Sequence, residues 1–166
     1  SFTKWLAAAS IALVMISTYW YFNQTPDHNS LYAAYYQAYP NVIAPTVRSE
    51  TKNDLQSQAF YAYDIGDYKK SAVLFSEIHT SQNEEYAVFY AALSLMEDNK
   101  HEEAIKLFDS FKSNKESRFS IYAEWYEALC YLKLNNKPAA IKLLKQIANE
   151  KNPQQETAQR LLKELN

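Results

Sequence analysis

The chain has 166 residues and a net charge of -2, with one glycine, five prolines, one cysteine and fourteen tyrosines. That length suits one domain plus an appendage, and the charge balance speaks against a nucleic-acid partner. So little glycine and proline leaves too few turns for an all-β fold, and a lone Cys130 builds neither a disulfide framework nor a cysteine metal site.

Residues 1–22 read as an anchor. Trp5 to Pro26 carries no charge, and LAAASIALVMIS at its centre is apolar. A transmembrane helix over this stretch is expected, since a span needs about 20 apolar residues. Trp5 at one end and Trp20, Tyr21 and Phe22 at the other have the placement of interfacial aromatic belts. Lys4 on the N-terminal side orients the N-terminus inwards, with the rest of the chain periplasmic and the anchor in the cytoplasmic (inner) membrane. The competing readings are a cleaved signal peptide and a buried core helix.

Residues 23–50 form a linker and a tyrosine-rich lead-in. NQTPDHNS is polar, and its His28 reads as a solvated linker residue. LYAAYYQAY places Leu31, Tyr35 and Ala38 at helical spacing, with Ser30 able to cap the start and Pro40 ending the run. PNVIAPTVR then runs extended between Pro40 and Pro45. Two readings are open for this lead-in. It caps the domain, or it lies in the domain's own groove or is offered to a partner.

Residues 51–166 repeat. GDYKKSAVLF from Gly66, NKHEEAIKLF from Asn99 and NNKPAAIKLL from Asn135 align at spacings of 33 and 36 residues. Each has a turn residue, then a small residue (Ser71, Ala104, Ala140), then a bulky one four later (Phe75, Phe108, Leu144). Ala59, Ala92 and Ala128 each stand seven residues before the turn. Small residues at both points let two helices approach closely, and the bulky one fills the gap beneath. The pattern predicts helix pairs of about 51–65 with 67–79, 84–98 with 101–113, and 119–134 with 137–149. A last amphipathic helix after Pro153, carrying Ala158, Leu161, Leu162 and Leu165, caps the stack.

Residues 51–149 resemble the tetratricopeptide repeat family, whose hairpin unit recurs about every 34 residues. The matching positions are Ala59, Gly66, Tyr68 and Phe75, then Ala92, Ala104 and Phe108, then Ala128, Tyr131, Ala140 and Leu144. Ser71 departs from the family's usual alanine, Gly66 occurs only once, and the second spacing is long. The resemblance implies an all-α solenoid of about three repeats with a C-terminal capping helix, behind the N-terminal transmembrane helix. It also implies a concave protein-binding groove lined by the first helix of each pair. Carried over, the groove positions are Phe60 and Tyr63; Tyr86, Phe89, Leu93 and Met96; and Tyr122, Trp125 and Leu129. Such a face is aromatic and short of cations, so it suits an apolar helix or extended segment better than a terminal carboxylate. The same residues at helical spacing are equally consistent with a groove filled by the lead-in.

No chemistry is expected. There is no glycine-rich phosphate loop, the three histidines are far apart in sequence, and Cys130 falls on a core face. Glu84-Glu85 and Glu102-Glu103 are consecutive, so their side chains diverge on a helix. The expectation is a non-enzymatic membrane-anchored scaffold. It has no cofactor, no metal, no nucleic acid and no small-molecule substrate, and it binds membrane lipid through the anchor and a protein partner in a bacterial envelope complex. The alternatives are a regulatory, anti-sigma-like membrane protein with a cytoplasmic part ahead of Ser1, or an accessory subunit of a membrane complex.

Overall fold

In the computed structural model, residues 13–19, 27–43 and 54–165 are described, and among them every regular element is helical. The elements are α1 (His28–Tyr35), α2 (Leu55–Asp64), α3 (Tyr68–Gln82), α4 (Glu85–Glu97), α5 (His101–Asp109), a 3-10 turn (Ser110–Ser113), α6 (Ser120–Lys133), α7 (Lys137–Asn149) and α8 (Gln155–Leu165). From α2 onward each helix packs on the next, and α4 also touches α6. That nearest-neighbour order is a repeat-like stack of hairpins, in which no hairpin covers its apolar side alone.

Each hairpin turns in the same way. Gly66, Asn99 and Asn135 have φ of 81°, 61° and 60°. In each case the turn residue's N–H donates to the carbonyl three back (Tyr63, Met96, Leu132). The following N–H donates to the carbonyl five back (Ala62, Leu95, Tyr131), each at 2.8 Å. This left-handed C-terminal motif satisfies helix-end carbonyls that would otherwise lack partners. Glycine takes the conformation without cost, and asparagine is among the few other residues that tolerate it. The new helix is then capped by Asp67 on Lys70 N–H and by Asn136 on Ala139 N–H.

The aligned small residues meet in the core. Ala59, Ala92, Ala128, Ser71, Ala104 and Ala140 are all fully buried, and so are Phe75, Phe108 and Leu144. Ser71, where an alanine is expected, has its hydroxyl 2.9 Å from that of Ser94, which itself donates to Tyr90 C=O. A buried hydroxyl left alone would be costly, and this pair removes that cost. The long second spacing also has a physical cause. The helix expected over 101–113 ends at Asp109, and the 3-10 turn and the loop to Phe119 carry the extra length. Phe111 and Phe119 are buried beneath that loop against Phe89. Lys112 pairs with the buried carboxylate of Glu127 at 2.9 Å. Burial pushes the Glu127 carboxyl up, and Lys112 draws it back down.

The N-terminal expectation needs correction. Among the described residues no helix is long and apolar enough to cross a membrane. Residues 13–19 are helical and exposed. The spanning helix over 1–22, and with it the single-pass inner-membrane placement, the lipid contact and the periplasmic repeat domain, is therefore not supported. Hydropathy reports a preference for an apolar phase, which apolar segments that do not cross a membrane share. Trp5, Trp20, Tyr21 and Phe22, named as its interfacial anchors, lie outside the described residues.

Candidate protein-binding face

The first helices of the hairpins, α2, α4 and α6, carry the residues expected to line a groove. Phe60, Tyr63, Phe89, Leu93, Met96, Trp125 and Leu129 are buried, while Tyr86 and Tyr122 are partly buried. Phe60 packs edge-on to Phe75 and Tyr90 and stacks with Tyr86. Residues 28–43 of the same chain lie on this face, where they meet Tyr63, Phe89, Tyr122 and Trp125. Of the two readings of the lead-in, it is the groove-filling one that the structure displays.

The covering segment begins as α1, which packs on α6, and continues extended from Tyr36. Leu31 is its buried anchor. Beyond Pro40's restriction on Tyr39, no internal ladder holds the extended part, so its backbone groups need partners from outside. Three tyrosine hydroxyls, one from each hairpin, supply them. Tyr126 Oη donates to Gln37 C=O at 2.7 Å, Tyr63 Oη to Tyr39 C=O at 2.8 Å, and Tyr90 Oη to Pro40 C=O at 2.8 Å. Val42 N–H returns a bond to Tyr90 Oη at 3.1 Å. Between these bonds the Tyr39 ring enters an aromatic box. It lies edge-on to Phe89 and Tyr122 at 5.0 Å, and to Tyr90 and Tyr126 at 6.2 and 6.3 Å. Such pairs add about 0.5–1.5 kcal/mol beyond burial.

A second set of contacts keeps the register of the repeat. The residue two before each turn, Asp64, Glu97 and Lys133, touches the segment in reverse order. Asn41 Nδ2 donates to Asp64 at 3.3 Å, Tyr36 Oη donates to Glu97, and Lys133 Nζ lies 5.0 Å over the Tyr32 ring. The segment thus runs against the order of the hairpins, from the third to the first. Its outer end is held by His28 Nδ1 donating to Asn135 Oδ1 (2.6 Å) and by Tyr35 Oη donating to Glu164 (2.6 Å). His28, expected to be solvated linker, is partly buried and has this partner.

Burial keeps these phenols protonated. It pushes Tyr90 up to about 12, with the Val42 bond pulling back, and raises Tyr63, Tyr126, Tyr36 and Tyr32 well above the phenol range. Tyr35 is pushed up to about 12 by burial and by its bond to Glu164. At neutral pH the hydroxyls of Tyr63, Tyr90 and Tyr126 are donors able to meet a carbonyl. His101 lies beside Tyr32, with ring centroids 6.0 Å apart. Both its ring nitrogens are buried without a partner. Burial, then Lys133, holds His101 below the usual histidine range. Among the described residues no group of His, Cys, Asp and Glu side chains is arranged to hold a metal ion.

The sequence reading passed over Tyr90, Tyr126, Glu97 and Asp64. A signal for them was present. Tyr90 and Tyr126 each stand nine residues before a turn residue, and Asp64, Glu97 and Lys133 each stand two before. Extending the repeat alignment to all positions, not only the small and bulky ones, would have placed them together.

The class of protein that this fold and face define is a repeat-like, all-helical hairpin stack with residues 28–43 lying on the first helices of the hairpins. No protein-family model matches the chain, and no curated protein is significantly similar to it.

Proposed function

We propose that the chain is a non-enzymatic scaffold of tetratricopeptide type, whose concave face holds a protein segment. The observation that carries the reading is the set of three hydroxyls, one per hairpin, aimed at main-chain carbonyls of an extended stretch. Main-chain bonds give affinity for any extended backbone, and side-chain recesses give choice among sequences, which is how strand-like peptides are recognised. Each such bond contributes about 0.5–1.5 kcal/mol net, so the set holds a segment without making it permanent. Raised phenol pKa values and a buried, unreactive Cys130 thiol favour binding over chemistry, since burial also pushes that thiol up.

The test is site-directed photo-crosslinking in cells producing the full chain. A crosslinking phenylalanine replaces Ala34 or Val42, both exposed on the covering segment, or Lys145, exposed on α7. The expected result is a discrete adduct with a second polypeptide from Ala34 or Val42 and none from Lys145. Adducts within the chain alone, or equal adducts from all three positions, would overturn the scaffold reading.

A further inference from the structure

We infer that the partner of this face is an extended protein segment built around an aromatic–proline pair, and that Tyr39-Pro40 is the resident copy such a partner displaces. The inference rests on the scaffold reading above and names its ligand class.

Three features of the seated segment define the chemistry. The carbonyls of Gln37, Tyr39 and Pro40 accept from hydroxyls of α6, α2 and α4, so the ligand must be extended there with its carbonyls turned to the face. Proline favours this geometry, because it fixes its own φ and drives the residue before it out of the helical region. The ring before proline fills the box of Phe89, Tyr90, Tyr122 and Tyr126. A flanking residue that donates to Glu97, as Tyr36 does, adds direction.

The resident copy is held in a way that suits exchange. Leu31 alone in the segment is buried, Gln37, Ala38, Pro40 and Val42 are exposed, and the end contacts His28–Asn135 and Tyr35–Glu164 are at the surface. What lies beneath is different: Phe89, Trp125 and Tyr126 are core residues. An uncovered face would open a large apolar patch, which monomeric proteins avoid. One segment therefore leaves only as a similar one enters. Covalent attachment gives the resident copy a millimolar-scale effective concentration. A partner must match the same contacts or profit from weakening of the resident ones.

The experiment uses the full chain and a fluorescent peptide of residues 30–43. In the Tyr39→Ala chain the resident copy is weakened, and the peptide is expected to bind at least ten times more tightly than to the unaltered chain. A peptide carrying Tyr39→Ala should lose at least tenfold. Tyr126→Phe in the Tyr39→Ala chain, which removes one donor and keeps the ring, should cost roughly 2–10 fold in peptide affinity. Circular dichroism confirms that each chain is folded. Should Tyr39→Ala unfold the domain, Tyr36→Phe, which loses only the Glu97 bond, replaces it with a smaller expected gain. Equal peptide binding to altered and unaltered chains, no binding to a folded altered chain, or indifference to the peptide's Tyr39 would overturn the inference. A doubling of mass by light scattering, with no peptide binding, would also overturn it, in favour of exchange between copies. A failed peptide with a positive Ala34 or Val42 crosslink would leave a scaffold of another ligand class, and failure of both would remove the scaffold as well.

Discussion

The hairpin stack and the segment lying on it are held by opposite means. In the stack, most contacts are made with the next helix along the chain, and residues such as Phe89 and Ala92 are fully enclosed. In the segment, Tyr36 meets Glu97 and Tyr35 meets Glu164, far along the sequence, and the tyrosine rings are half-buried. The stack is stabilised chiefly by excluded water and close packing. The extended part of the segment forms no ladder with a neighbouring strand among the described residues, and three of its carbonyls accept from hydroxyls supplied by the stack. The difference teaches that the stack is built from neighbouring contacts, while the segment is placed by contacts with residues far along the chain.

The sharpest way to break this contrast is to hollow out the stack. Phe89 sits between Phe108, Phe111, Phe119, Tyr39 and Tyr126. Phe89→Ala is expected to cost about 3–5 kcal/mol and to lower the urea midpoint of the whole helical signal. Removing Tyr39 should cost less and act locally. Tyr39→Ala is expected to cost about 1–3 kcal/mol, through lost ring pairs and burial. Hydrogen exchange should then quicken in residues 28–43 and change little in α4 and α6. Uniform quickening through the stack would show that segment and stack are one cooperative unit.

The smallest expected effect separates the two by pH. His101 is held below the ordinary value by burial, then by Lys133, with Glu102 opposing. The unfolded chain therefore binds this proton more readily than the folded one. Its contribution is fully present above the unfolded value of about 6.5 and is lost as pH falls below it toward the lower folded value. Urea midpoints should drop between pH 7.5 and 5.5 by less than either substitution above, and His101→Phe should shrink that drop. An unchanged pH slope in His101→Phe would rule out His101 as its source.

Much of the stack was legible because hairpins are local. Gly66, Asn99 and Asn135 at spacings of 33 and 36, with small and bulky residues in fixed register after them, point to paired helices without knowledge of what they pack against. The apolar character of Phe60, Phe89 and Trp125 was equally legible, but apolarity is the same for a core residue as for a binding residue. The anchor was misjudged for a related reason. Composition over residues 1–22 reports affinity for an apolar phase, and does not by itself establish a membrane span.

The amino-acid order by itself determined the all-helical hairpins, their turn chemistry and the small-to-bulky pairing that seats them, because those depend on backbone propensity and contacts a few residues apart. Only the tertiary structure decided that Tyr63, Tyr90 and Tyr126 act together, that their partners are the carbonyls of Gln37, Tyr39 and Pro40, and that residues 28–43 lie across α2, α4 and α6. A phenol pairs as well with water, a carboxylate or a carbonyl, so its partner is chosen by what the fold brings within 3 Å and not by the residue itself.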